Sequence, residues 1–394
     1  ADTFSECCPY DGPAVFAANN HGFAIETMSF APIEEVIKDI AAGKMVIVTD
    51  DEDRENEGDL IAAASQVTPE MINFMVTHGR GLICAPIPQE RAHQLGLAAM
   101  VPKNRDTYGT DFTASVDAAS GITTGISAPD RAHTIRILAD PHAVPTDLVQ
   151  PGHLFPLQSK AGGVLRRAGH TEAAVDLAHL AGLDPSGIIC EILKEDGTMA
   201  RLPDLLIFAE KHGLKLCTIQ DLIGYRQTRE ALIEKKAERT VTTLFGPFTL
   251  HMYRSLLDDR FHFALVRGQV DSHRPTLVRV HRQDLLEDLF GSLSEGHPQS
   301  LLHRGLRAIG EAEEGGVLVY VQRDSTTQSV LEHVPQPGTA KATSSGNLRD
   351  YGVGAQILAD LGVRELRLLS NHPRRVIAIE GHGLSIVEMV ALGE

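Results

Sequence analysis

Short apolar runs alternate with helix-patterned segments along most of this chain, and that alternation restricts it to α/β architectures in which strands and helices share a core. A helix signal in "MSFAPIEEVIKDIAAGK" (28–44) starts near Ser29 or Pro32 and stops at Gly43. It is followed by strands "KMVIVT" (44–49) and "DLIAAAS" (59–65), a helix "TPEMINFMVTHG" (68–79), a strand "LICAPI" (82–87) and a helix "QERAHQLG" (89–96). A Gly-, Thr- and Ser-rich stretch, 103–130, follows, and within it "YGTDFTASVDAASGITTG" (108–125) reads as a loop able to close over a ligand. With "HTIRILAD", "GIICEIL" and a helix at 204–213, the pattern predicts one mixed α/β domain over 28–230. Residues 1–27 lack periodicity and read as an N-terminal extension or leader. Residues 229–241, "REALIEKKAERTV", read as a charged helical tail, with 231–241 as linker. "TLFGPFTLHMYR", "FHFALVRGQV", "LVRVHRQD", "GVLVYVQR", a helix "YGVGAQILADLG" and "ELRLLS" then predict a second α/β domain over 242–394.

Charge and cysteine usage exclude several functions. Lys plus Arg number 36 against 52 Asp plus Glu, a net charge of -16, which repels nucleic-acid phosphates and acidic membrane surfaces. An anionic substrate must therefore meet a local basic cluster. The five cysteines, Cys7, Cys8, Cys84, Cys190 and Cys217, show neither CxxC nor zinc-ligand spacing, so a reducing cytoplasm is expected rather than a disulfide framework. No run of 18 or more apolar residues and no secretory-signal pattern occurs.

Against this background "VTDDEDRENEGDL" (48–60) is conspicuous, because it packs seven carboxylates and one arginine between two strands. Charge runs are ordinarily solvated. An EF-hand is excluded, since Glu55 and Asn56 stand where that loop needs Asp/Asn and Gly, and strands flank the segment. A second segment, "RRAGHTEAAVD" (166–176), leads from Gly162 and Gly163 through two arginines into Gly169, His170 and Thr171 at the head of a helix. Free N–H groups and adjacent arginines make such a helix start suited to phosphate. A neutral imidazole there complements a carboxylate loop as a nitrogen ligand for a divalent cation.

These segments, with "TTGISAPDR" (123–131), "PGHLFPL" (151–157), "CEIL" (190–193) and "DGTMAR" (196–201), resemble 3,4-dihydroxy-2-butanone 4-phosphate synthase of riboflavin biosynthesis from about residue 32 to 228. The resemblance implies a homodimeric lyase that uses Mg²⁺ or Mn²⁺ to convert D-ribulose 5-phosphate into 3,4-dihydroxy-2-butanone 4-phosphate and formate. It implies Glu55 and His170 as metal ligands, and Arg54, Glu55, Asp59, Arg167, Ala168, Gly169, His170, Thr171 and Glu191 as substrate contacts. His153 and Glu191 match its essential acid/base positions. Arg54 is expected near the sugar and Arg167 near the phosphate, with Asp53, Glu57 and Asp59 accepting substrate hydroxyls or holding waters.

From about 247 to 392 the chain resembles GTP cyclohydrolase II, through "LVRVHRQD", "DLFGSL", "GGVLVYVQR", "RDYGVGAQILADLGV" and "RLLSNHPRR". Where that family places three zinc-binding cysteines, Asp284, Glu295 and His297 stand here, and no cysteine follows Cys217. Asn347 replaces its general-base aspartate, although Arg349 matches its nucleophilic arginine. The expectation is therefore a degenerate second domain without zinc or cyclohydrolase activity. A bifunctional enzyme with an altered zinc site, or a non-catalytic regulatory or assembly protein, are the alternatives.

Overall fold

The computed structural model describes residues 30–290, 300–323, 346–370 and 382–392, with backbone alone for 290 and 346–351. The expected leader, 1–27, lies outside the described residues, as do Glu295 and His297. Among the described residues two mixed sheets are formed.

The first sheet contains β1 (Val46–Thr49), β2 (Gly58–Ala63), β3 (Cys84–Pro88), β4 (Asp111–Phe112), β5 (Val116–Ala118), β6 (Leu148–Ser159), β7 (Gly187–Glu191) and β8 (Leu216–Thr218). Its order is β4-β6-β3-β7-β2-β1-β8, with β5 also paired to β6. β1 up to Val48 and β2 from Leu60 read as unbroken apolar runs because both faces are covered. Ile47, Leu60 and Ala62 point into one core, with helices α2 (Pro69–Phe74), α3 (Gln89–Gln94), α4 (Ala128–Ala139) and α6 (Leu202–His212). Val46, Val48, Ile61 and Ala63 point into the other, with α1 (Ile33–Ala41), α5 (His170–Leu180) and α7 (Ile219–Arg229). The start signals are side-chain caps: Thr68, Ser127 and Thr218 accept from Met71, Asp130 and Asp221 backbone N–H groups.

Two expectations are corrected. The 103–130 stretch is not all loop, since Asp111–Phe112 and Val116–Ala118 are β4 and β5 on β6. The charged 231–241 segment is neither helix nor linker; Ile233–Thr243 is β9, antiparallel to Gly246–Ser255. It is the edge of the second sheet, and an edge strand tolerates Lys and Glu on its open side. Helices Leu301–Glu311 and Gly346–Asp360 cover opposite faces of that sheet.

The two halves meet through directed contacts. The Gln356 amide accepts from Leu232 N–H (2.8 Å) and donates to the carbonyls of Gln227 (2.8 Å) and Glu230 (2.7 Å). Asp258, in a turn of the second half, pairs with Arg166 at 3.2 Å, just ahead of the segment that carries His170.

Candidate active site and metal centre

The acidic loop is the turn of an antiparallel hairpin in which Thr49 faces Gly58. Its like charges are folded around one of their own number. The Asp50 carboxylate accepts from Arg54 Nη1 (2.7 Å), Glu55 N–H (3.1 Å) and Glu57 N–H (2.8 Å). Arg54 Nη1 also reaches Glu55 Oε2 at 2.5 Å. From outside, Arg201, at the start of α6, donates to the backbone carbonyls of Glu55 and Asn56. Asn56 takes a left-handed φ of 55°, a conformation asparagine tolerates better than most residues. Gly58 lets α6 approach, since a Cβ there would lie 2.4 Å from Leu205 Cδ1.

His170 faces this loop from the first turn of α5. Its Nε2 lies 3.2 Å from the Val48 carbonyl, which can only accept, so Nε2 carries the proton. In the neutral ring Nδ1 is then the lone-pair nitrogen, 3.8 Å from both Glu55 Oε2 and Asp59 Oδ1. A carbonyl fixing the far ring nitrogen is how metal-ligating histidines are commonly oriented. Asp50, Glu55 and His170 offer ligand atoms within 4.8 Å of one another. Asp59 Oδ1 is buried without a hydrogen-bond partner. An orphaned carboxylate oxygen beside two more carboxylates and an imidazole lone pair fits a hard divalent cation.

Electrostatics agrees. Burial pushes Asp59 up to about 8, with Glu191, Glu57 and Glu55 adding to the effect and His170 opposing it. Burial works against a charged His170, but Asp59, Glu55 and Asp50 outweigh it and push the ring up to about 9. Burial likewise opposes charge on Glu55, yet His170 and Arg54 hold its carboxyl below the ordinary range. The pocket thus concentrates negative charge and draws a proton onto its imidazole, and a bound cation would take that proton's place.

The other expected residues divide into two groups. Glu191 sits beside Asp59 in register on β7, and its Oε2 accepts from Leu82 N–H at 2.8 Å. That wrap needs Gly81, whose Cβ would fall 2.5 Å from both the Glu191 carbonyl and Oε2. Ala168 and Gly169 lead into α5, where His170 and Thr171 form the first turn and Gly169 is the N-cap. Arg167 is tied down by protein groups: Nη1 to Glu172 (2.6 Å), Nη2 to Thr110 Oγ1 (2.7 Å) and Nε to the Tyr108 carbonyl (3.0 Å). Tyr108 in turn donates to the Arg54 carbonyl, and its ring lies 5.3 Å from the Arg54 guanidinium, so the 104–110 turn bridges both basic residues. His153 is held elsewhere, on β6, by Asp117 at 2.7 Å. Asp50, Asp117, Tyr108 and Arg201 were not anticipated. Asp50 is one carboxylate among seven in its stretch, and the partners of the others lie far away in sequence. Cys84, Cys190 and Cys217 are buried, and burial pushes the Cys190 and Cys217 thiols up to about 12.

Comparison with known proteins matches residues 34–225 to the 3,4-dihydroxy-2-butanone 4-phosphate synthase family and 234–391 to GTP cyclohydrolase II. Riboflavin biosynthesis protein RibBA of Aquifex aeolicus is 51% identical over 383 residues, 93% of each chain. The chain belongs to the 3,4-dihydroxy-2-butanone 4-phosphate synthase family. RibBA of Bacillus cytotoxicus is 49% identical over 375 residues, 92% of this chain and 94% of that protein. The crystal structure of RibBX, described as a two-domain 3,4-dihydroxy-2-butanone 4-phosphate synthase from A. baumannii, is 47% identical. It superposes with a TM-score of 0.79 over 92% of this chain and 100% of its own. The protein is thus a 3,4-dihydroxy-2-butanone 4-phosphate synthase of riboflavin biosynthesis, and the Glu55–His170 cluster lies within its synthase half. In the other half of this synthase, Asp284 accepts from Glu287 N–H at 3.1 Å and so opens helix Leu285–Phe290.

Proposed function

We propose that the synthase acts on D-ribulose 5-phosphate, releasing formate, with a divalent cation, Mg²⁺ or Mn²⁺, held by Glu55 and His170 and assisted by Asp50. The observation that carries this reading is the convergence of those three ligand atoms within 4.8 Å, with His170 Nδ1 left as the acceptor. When bound, the cation supplies Lewis-acid polarisation of neighbouring substrate oxygens. The chain's residues do the rest. Asp59 and Glu57 accept substrate hydroxyls. Arg54 lies on the sugar side, while Arg167 holds the segment whose Ala168, Gly169 and Thr171 present helix N–H groups to phosphate. Glu191 and His153 move protons, an effect worth roughly 10²–10⁴-fold for each such group. Formate should appear from ribulose 5-phosphate, vanish with EDTA and return with Mg²⁺. Glu55→Ala and His170→Ala should each abolish it while circular dichroism stays native, and full activity in either variant refutes the ligand assignment.

We also read the second half as lacking zinc and cyclohydrolase activity, because no thiolate follows Cys217 and Asp284 is engaged as a helix cap. The match of 234–391 to GTP cyclohydrolase II favours a second reading, a bifunctional enzyme with a rebuilt site. Incubation with GTP and Zn²⁺ decides between them: formate and a pyrimidine product would establish the bifunctional reading. A cytoplasmic homodimer completes the proposal. Among the described residues no helix is long and apolar enough to cross a membrane. Ile126 and Val149 are exposed beside the His153–Asp117 pair, as a subunit interface would require. Light scattering that returned the monomer mass of 42.6 kDa would refute the dimer.

A further inference from the structure

We propose that Asp258, supplied by the second half of the chain, is a positioning residue for the synthase: through Arg166 it holds the 162–170 segment in its ligand-binding arrangement. This inference rests on the reading of that segment as the one that receives phosphate and, at His170, the cation. Asp258 stands in the turn between strands Gly246–Ser255 and Phe261–Arg267, and its side chain is only 8% exposed. Within that turn Arg260 Nε donates to its Oδ2 at 2.7 Å, and Arg260 Nη1 is tied to the Gln322 carbonyl at 3.1 Å. Burial opposes charge on Asp258, yet Arg260 outweighs it and holds the carboxyl below the usual range. The carboxylate is thus fixed and charged. Its Oδ2 also accepts from Arg166 Nη1 at 3.2 Å, across the join between the halves. Beside it Leu257 packs against the synthase core that contains Val164 and Leu165, and its Cδ2 would lie 3.5 Å from a Cβ added at Gly162.

The second half therefore presses on the joint between β6 and α5. Gly163, at φ +60°, brings this joint so near α5 that a Cβ there would lie 2.0 Å from Asp176 Oδ1. Asp176 accepts from Val164 N–H (2.8 Å) and Arg226 Nη1 (2.7 Å), and Arg226 Nη1 also donates to the Gly162 carbonyl (2.9 Å). These bonds anchor residues 162–164 from within the synthase. Arg166 and Arg167 come next, two like charges side by side in the sequence, and they are drawn to different partners. Arg167 turns to Glu172, Thr110 and Tyr108, whereas Arg166 turns to Asp258. Opposite charge on each side keeps the two guanidinium groups apart and fixes the backbone that leads into Gly169 and His170. Such a hold changes how tightly substrate and cation are taken rather than how protons move.

Asp258→Asn keeps the shape of the side chain and removes its charge. In the full chain with saturating Mg²⁺ it should raise the KM for ribulose 5-phosphate by about three- to tenfold, the range for an ion pair with one exposed partner and one buried. The kcat should change little, since the interaction is made equally in ground and transition states. Hydrogen exchange followed by mass spectrometry should be faster in the peptide spanning 162–170 and unchanged in the β1–β2 hairpin. Arg166→Gln removes the other partner, should reproduce both effects, and serves as the measurement if the Asp258 variant does not fold. The double variant should be no worse than the poorer single variant, because both act through one contact. Native KM in Asp258→Asn, native exchange over 162–170, or losses that multiply in the double variant would each overturn the proposal. An unchanged KM in Arg167→Gln would instead remove the phosphate reading of the segment, while hydrogen exchange still reports separately on what Asp258 holds.

Discussion

Replacing Arg201 by methionine removes a cation that holds the acidic loop from outside its own turn. Arg201 Nη1 donates to the Glu55 carbonyl at 2.9 Å and also to that of Asn56. A hydrogen bond from a charged donor contributes about 1.5–3 kcal/mol net. Both acceptors belong to the loop, so the loss falls on the balance between its folded-back and open arrangements. Apparent cation affinity drops by whatever fraction of the folded-back arrangement is lost. Since about 1.4 kcal/mol is a factor of ten, one such bond corresponds to a loss of about ten- to a hundredfold. Methionine keeps most of the apolar stem while removing the charge. Mn²⁺ titration followed by electron paramagnetic resonance measures the affinity directly, without reference to turnover. The expected result is about tenfold weaker binding in Arg201→Met, an intermediate value in Arg201→Lys, and a nearly unchanged melting temperature. Native Mn²⁺ affinity in the methionine variant would show that the loop is ordered without Arg201.

The ion-free protein should lose stability as pH rises, because His170 binds its proton more tightly when folded, near 9, than at its ordinary 6.5. That contribution is complete below 6.5, disappears as pH passes through about 9, and should flatten when Mg²⁺ is added; thermal melts at several pH values with EDTA or Mg²⁺ check it. Cation binding should also release protons and tighten with pH over the same range, as calorimetry in buffers of different ionisation heat would record. Gly81→Ala should cost about 1–3 kcal/mol and cut formate release, because the new methyl group strikes Glu191; a native rate would mean that Glu191 can move freely. Gln356→Leu strips partners from the Leu232, Gln227 and Glu230 backbone, and denaturant unfolding should show a loss of about 1–3 kcal/mol.

Local pattern carried a large part of this protein. The hairpin around "DDEDRENEG" was legible because two apolar runs flank a loop too charged to be buried, and His170 because Gly169 precedes an apolar-periodic helix. β9 was not legible. Its Glu and Lys residues favour helix locally, and only pairing with the following strand makes them an edge. Part of 103–130 was read as loop because Asp111–Phe112 and Val116–Ala118 are too short to show a period, and only β6 beside them makes them strands.

The sequence by itself determined which chemical groups exist: a carboxylate-rich turn, a histidine at a helix start, a glutamate ending a strand, and a second half without thiolates. Tertiary structure alone decided which of them meet. It chose Asp50 as the centre of its loop, left Asp59 Oδ1 without a partner, aimed His170 Nδ1 at the carboxylates through a carbonyl on β1, and placed Asp117 behind His153. The reason is that charge and hydrogen-bonding capacity belong to a residue, whereas proton position and ligand direction depend on neighbours contributed by strands and helices distant along the chain.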